Sequence, residues 1–293
     1  MKVLVFGSLN IDHVYQVPHM VQGGETLLST RVDLFCGGKG LNQAIALAKA
    51  GAPVFLAGQI GEDGQMLFDA CREYGVDSTY VRVLPQPSGH TIIQIDETGQ
   101  NSILLYGGTN QMQTEEGMDA VLSHFDQGDY LVLQNEINRL DYLVDRAYEK
   151  GMKIILNPSP YDERLQSCAL EKVWLFLLNE IEGEQLTGEH DPDRILSALR
   201  VRYPSARFVL TLGSRGAVYA DAGQKVFQDI FPVKAVDTTG AGDTFTGYFI
   251  AGLLQGKDVR EIMLIAAKAS SIAVSRPGAA PSIPTADEVC LQD

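Results

Sequence analysis

Short apolar runs alternate with longer segments whose apolar residues recur at helical spacing. Val3–Phe6 reads as a buried strand, residues 40–50 as a helix closed by Gly51, residues 54–57 as a second strand, and Gln65–Tyr74 as a helix closed by Gly75. Such alternation predicts βαβ units on a parallel sheet. Further strands are expected at Tyr130–Gln134, Lys153–Asn157, residues 175–178 and residues 208–212, each with a helical segment nearby. The expected fold class is therefore an α/β sandwich.

Two segments break this rhythm. Residues 11–36 lack a helical pattern and read as extended, while residues 91–95 and 102–106 alternate as strands about the turn Glu97-Thr98-Gly99-Gln100. They would form either an edge hairpin of the main sheet or a small separate sheet acting as a lid over a substrate. No repeat or low-complexity linker divides the chain. A single domain over residues 1–293 is expected, with the lid formed by about 11–36 and 88–108.

Charge narrows the function. The net charge of −14 repels nucleic acid and anionic membrane, so any phosphate must be held by backbone N–H groups, a metal ion and a few placed cations. No run approaches the roughly 20 apolar residues of a membrane span, and the first apolar run is too short for a signal peptide. Cys36, Cys71, Cys168 and Cys290 show no paired spacing, which suits a reducing cytoplasmic setting without disulfide or zinc. The histidines lack HxxxH or HExxH spacing, which disfavours metal-dependent hydrolysis.

Four clusters carry candidate chemistry. In Asp237-Thr238-Thr239-Gly240-Ala241-Gly242-Asp243-Thr244-Phe245, three small residues precede an apolar helix expected over about 243–254. Uncovered amides and the helix dipole make an anion site there, and Asp243 is placed to accept a hydroxyl proton. The plainer alternative is an Asp that merely complements the dipole. In Gly37-Gly38-Lys39-Gly40-Leu41-Asn42, glycines admit a ligand to the backbone while Lys39 and Asn42 offer polar contacts. This is not a phosphate-binding loop of Walker type, because Gly40 follows Lys39 where Ser or Thr belongs. Asn10 and Asp12 follow the first strand and share a face if extended, though an Asn/Asp turn accounts for them equally well. Asn179 and Glu182 stand three apart after another strand, where they would order magnesium near phosphates or simply start a surface helix.

Taken together, these clusters resemble the ribokinase-like carbohydrate kinases along the whole chain. Residues 237–245 look like that family's C-terminal signature, and Gly37-Gly38-Lys39-Gly40 with Asn42 like its N-terminal one. The resemblance implies a Rossmann-like three-layer α/β/α sandwich with a small β-sheet lid. It also implies ATP-dependent phosphorylation of a sugar's primary hydroxyl, with ATP, magnesium (Mg2+) and potassium (K+) as cofactors. By matching position, Asp243 is the base and the amides of Gly240, Ala241 and Gly242 are the anion hole. Asn10, Asp12, Gly38, Lys39, Gly40, Asn42 and Glu136 match sugar contacts, while Asn179, Thr211, Gly213, Gly216 and Gly242 match nucleotide contacts. Glu182 matches the magnesium-ordering position, and Asp237, Thr239, Arg276, Gly278 and Ser282 match the monovalent-cation site. Gly7-Ser8-Leu9-Asn10-Ile11-Asp12, Gly108-Thr109-Asn110, Gln134-Asn135-Glu136 and residues 277–282 point within the family to D-ribose as acceptor and D-ribose 5-phosphate as product. One position departs: Ala267-Lys268 stands where His or Asn often flanks adenine, so a different adenine pocket is expected.

The competing readings are a kinase for deoxyribose, a ketose, ketodeoxygluconate or a nucleoside, and a catalytically silent sugar or nucleotide sensor. Retention of Asp243 and both glycine loops argues against the sensor. The expected partners are small molecules, with no nucleic acid and no membrane. A homodimer through the lid is expected from the apolar residues Ile93, Ile95, Ile103 and Leu105.

Overall fold

Strand β1 (Val3–Phe6) shows how the core is divided. Its residues are all buried, but Val3 and Val5 pack on one side while Leu4 and Phe6 pack on the other. A strand covered on both faces must lie inside a sheet sandwiched by helices. The computed structural model describes residues 1–290 and bears this out. In chain order the elements are β1, β2 (Asn10–Gln16), β3 (Arg31–Gly37), α1 (Lys39–Lys49), β4 (Val54–Gly61), α2 (Gln65–Tyr74), β5 (Asp77–Leu84), β6 (Gly89–Ile95) and β7 (Asn101–Tyr106). There follow α3 (Glu115–Leu122), β8 (Tyr130–Gln134), α4 (Leu140–Glu149), β9 (Lys153–Asn157), β10 (Leu175–Asn179), α5 (Glu180–Thr187) and α6 (Pro192–Arg202). The chain closes with β11 (Arg207–Thr211), β12 (Ala217–Ala220), β13 (Lys225–Gln228), α7 (Ala241–Leu254), α8 (Val259–Val274) and α9 (Ala286–Val289).

Nine strands form the main sheet in the order β13-β12-β11-β10-β9-β8-β1-β4-β5. Only β12 and β13 run antiparallel to their neighbours. One core cluster takes in α1, α2, α7 and α8, and the other takes in α3, α4, α5 and α6, giving three layers. After β1 the chain builds outward through β4 and β5, then returns to place β8 on the other flank of β1. That reversal makes β1 and β8 a switch point, and open α/β sheets bind ligands in the crevice outside the carboxyl ends of their strands at such points.

The extended segments do not widen this sheet. They form a separate four-stranded sheet, β3-β2-β6-β7, in which β2 pairs parallel with β6 and antiparallel with β3. The edge-hairpin alternative is excluded for β6 and β7. Strand β5 escaped the sequence reading because its alternating exposed positions are those of a sheet edge, without a buried run.

Strand β4, expected over residues 54–57, runs four residues further, and the boundary correction that bears on the site concerns α7. It begins at Ala241, two residues before the expected start, because Gly240 takes the left-handed conformation (φ 74°) and turns the chain directly into the helix. Asp243 thus sits in the first turn. The strand expected at residues 208–212 runs over Arg207–Thr211, with Leu212 leaving it for the turn at Gly213.

Candidate active site

Helices α1 and α7 bring the two glycine signatures together. A side chain at Gly247 would lie 2.3 Å from the Ala46 Cβ, so the helices touch backbone to backbone. One turn earlier on each helix, the Asn42 Nδ2 donates to the Asp243 Oδ2 at 3.3 Å and the Gln43 Nε2 donates to Oδ1 at 2.9 Å. The two helices therefore run side by side in the same direction, starting together at the crevice. Asp243 is buried, and its carboxylate is oriented by two amides.

The start of α7 leaves hydrogen-bonding capacity open. No side chain caps it. The Ala241 N–H donates to the Thr238 carbonyl at 3.3 Å, while the N–H groups of Gly240, Gly242 and Asp243 have no acceptor among the described residues. Of the three amides expected to form the anion hole, that of Ala241 thus carries a long backbone bond while those of Gly240 and Gly242 are open. Gly242 faces open space, since a Cβ there would meet nothing within 4 Å.

Lys39, Asn157, Asn179, Glu182, Thr211, Thr238, Gly240, Gly242 and Asp243 line one cleft of about 220 Å³. Asn157, Asn179 and Thr211 end β9, β10 and β11, so the cleft lies along the carboxyl edge of the sheet. Burial disfavours the Lys39 ammonium, but the carboxylates of Asp243, Glu136 and Glu182 outweigh it and hold its pKa above the ordinary lysine value. Lys39 is therefore a fixed cation in an otherwise acidic site. A larger cavity, about 340 Å³, lies between Tyr161, Cys168, Arg202 and their neighbours and contains none of the candidate residues.

Beside the cleft, Glu136 accepts from the Ser8 hydroxyl and, at 3.0 Å, from the Lys39 N–H. Burial pushes its carboxyl above the usual glutamate range despite Lys39 and Ser8. Gly38 adopts φ 91°, and a Cβ there would stand 2.9 Å from the Ser8 carbonyl oxygen, so glycine is required for the turn into α1. Gly40 packs as tightly against the Ser8 N–H. Asn10 and Asp12 lie on β2, next to these groups through the pairing of Asn10 with Gly37. The Asn10 Oδ1 accepts from the Asn110 Nδ2 at 2.7 Å, and the Asp12 Oδ1 accepts from the Thr91 hydroxyl at 2.6 Å. Burial raises the Asp12 carboxyl above its ordinary value.

Asn179 and Glu182 form a capping box at the start of α5. The Glu182 carboxylate accepts from the Asn179 N–H at 2.9 Å and from its Nδ2 at 3.1 Å. The helix-start explanation thus holds for this pair, which also lines the cleft. Gly213 and Gly216, both at positive φ, shape the turn after β11 without lining the cleft.

The remaining candidates gather at the back of the α7 start. The Asp237 carboxylate accepts from the Thr239 N–H at 2.9 Å and the Gly278 N–H at 2.8 Å, tying the two loops together. Burial opposes ionisation of Asp237, yet these bonds hold its carboxyl below the usual range. The backbone carbonyls of Asp237, Thr239, Arg276 and Gly278 accept no hydrogen bond among the described residues. Ser282 is fully buried, and the Arg276 side chain pairs outward with Glu288. Lys268 reaches the Cys290 carbonyl.

Gln43 and Thr91 carry no functional expectation in the sequence, and Ser8, Asn110 and Gln134 enter there only as members of motifs, without individual roles. The available signal was polarity in the wrong place: Gln43 lies in a run of buried helix positions and Gln134 ends an apolar strand at zero exposure.

Known proteins match along nearly the whole chain. Over 97% of this chain and 95% of its own length, the ribokinase of Haemophilus influenzae is 34% identical. The deoxyribokinase of Salmonella typhi is 30% identical over 98% and 97%. A solved structure of Arabidopsis thaliana ribokinase complexed with ribose and ATP superposes with a TM-score of 0.86 at 30% identity, covering 98% of this chain and 97% of that one. The family description "pfkB family carbohydrate kinase" matches residues 1–286, and the chain belongs to that family.

Proposed function

We propose that this protein transfers the γ-phosphoryl group of ATP to the primary hydroxyl of D-ribose, forming D-ribose 5-phosphate and ADP. The observation that carries the reading is the Asp243 carboxylate, oriented by Asn42 and Gln43 beside unpartnered amides and the Lys39 cation. Likeness to ribokinases over nearly the whole chain supports ribose as the acceptor.

Asp243 accepts the hydroxyl proton as the sugar oxygen attacks the γ-phosphorus and the bond to the ADP oxygen breaks. The N–H groups of Gly240 and Gly242 take up negative charge on the transferred group. Lys39 contributes a positive charge that burial keeps from being screened. Asn10, Asp12, Gly38, Gly40 and Asn42 hold the sugar, with Glu136 fixing the Lys39 loop. Thr211, Gly213 and Gly216 flank the nucleotide.

Both cations fit the residues present. Glu182, positioned by Asn179, is the carboxylate that would order magnesium and its waters, and magnesium supplies neutralisation of phosphate charge. The four carbonyls without donors, at Asp237, Thr239, Arg276 and Gly278, suit a hard monovalent cation such as potassium, with Ser282 alongside. The small sheet serves as a lid that excludes water, and as the contact of a homodimer. Four free cysteines suit the cytoplasm. Among the described residues no helix is long and apolar enough to cross a membrane.

The test is ADP release from ATP and magnesium with D-ribose, deoxyribose, fructose and adenosine in parallel, with and without potassium. Potassium-stimulated turnover on ribose is expected. Preference for deoxyribose would keep the mechanism and change the acceptor, and no turnover on any sugar would overturn the reaction.

A further inference from the structure

Asp243 is held by more than its immediate neighbours. Gln43 donates to the Asp243 Oδ1 at 2.9 Å, and Gln134 in turn donates its Nε2 to the Gln43 Oε1 at 2.7 Å. Both glutamines are fully buried. Because a carboxylate only accepts, Gln43 must present its NH2 group to Asp243 and its carbonyl to Gln134. Gln134 must then present its own NH2 group, which leaves its Oε1 with no donor among the described residues. A buried acceptor without a donor is costly and persists where another requirement overrides it. Space for Gln134 is made by Gly7, where a Cβ would lie 2.1 Å from that same Oε1.

The two carboxylate oxygens are therefore unequal. Oδ1 carries the short bond from the amide chain, whereas Oδ2 carries only the 3.3 Å contact from Asn42. The geometry points to Gln43, locked by Gln134, as a positioning residue that dedicates Oδ1 to the scaffold and leaves Oδ2 as the proton-accepting oxygen. It rests on the reading of Asp243 as the base. Rotation of the carboxylate would break a bond at the end of a chain anchored in β8, so the base is aimed before substrate arrives.

The experiment compares steady-state kinetics of Gln43→Met, Gln43→Glu and Gln134→Met with wild type, each checked for folding by thermal melting. Gln43→Met is expected to lower kcat about tenfold or more while the KM values for ribose and ATP stay within about twofold. Gln43→Glu, of nearly the same size but acidic, is expected to be worse than Gln43→Met. Gln134→Met should show the same kcat-only loss at smaller amplitude. In an Asp243→Asn background, Gln43→Met should cause no further loss, because it acts only through Asp243. Wild-type kcat in folded Gln43→Met, or an undiminished loss in the Asp243→Asn background, overturns the inference alone. A wild-type protein silent on every sugar overturns the proposed reaction and the inference with it.

Discussion

Asp243 combines burial, two amide donors and a place in the first turn of α7, and each contributes separately. Burial strengthens its interaction with a nearby hydroxyl, the amides aim it, and the helix start sets open N–H groups alongside. Asp243→Asn preserves shape and removes basicity. It is expected to lower kcat at least about 100-fold while ribose binding, measured by calorimetry, stays near wild type. Near-normal turnover would refute its role. Asp243, Lys39 and the glycines were legible in the sequence because small residues beside a single charged one are a local signal. Gln43 and Gln134 were not: a glutamine's partner, 91 positions away, is defined only by folding.

At the scale of elements, the crossing of α1 and α7 sets the distance between sugar-side and phosphate-side residues. Gly247 is the contact point, and a methyl group there would push against Ala46. Gly247→Ala is expected to destabilise the protein by about 1–3 kcal/mol, the usual cost of overpacking, and to lower kcat by separating Asn42 and Gln43 from Asp243. Urea unfolding and initial rates check the two effects. A second element-level contact is the pair Arg276–Glu288, which joins α9 to the loop carrying the Gly278 amide. The Arg276 guanidinium, with the Thr285 N–H, holds the Glu288 carboxyl at about 2 against an ordinary value of 4.5. A depressed folded-state pKa stabilises above the unfolded value and is lost as pH falls through the folded one. Glu288→Gln is therefore expected to be less stable than wild type near neutrality, with the gap closing between pH 4.5 and about 2. The pair is half exposed, so the effect is small, and denaturant midpoints across that range measure it.

For the whole molecule, the small sheet is the feature that asks for a partner. Its cross-strand rows place Leu34, His13, Ile92 and Leu104 on one face and Phe35, Asp12, Thr91 and Leu105 on the other. Of the apolar residues expected to pair copies, Ile103 and Leu105 are exposed while Ile93 and Ile95 are half-buried; Leu34, Ile92 and Leu104 are exposed as well. Exposed apolar residues on both faces, beside the polar Asp12–Thr91 pair, give the small sheet surface that a second copy would cover. Light scattering at micromolar concentration is expected to give a dimer, and Leu104→Lys with Ile103→Lys a monomer with weakened ribose binding. A monomeric wild type would sink the dimer proposal.

Periodicity by itself determined the α/β class, most strands of the main sheet and the helices α1 and α2, because burial on a regular element writes its period into the chain. Local motifs marked Asp243 and the glycine turns as candidates, and composition gave the acidic net charge, since each is a property of neighbouring residues or of the chain as a whole. What only the tertiary structure decided was contact between distant segments. It placed β8 beside β1 at the switch point, separated the small sheet from the main one, and gave the Ala241 amide its partner. It also joined Gln134 to Asp243 through Gln43. Those outcomes depend on how helices and strands pack in three dimensions, which no local pattern encodes.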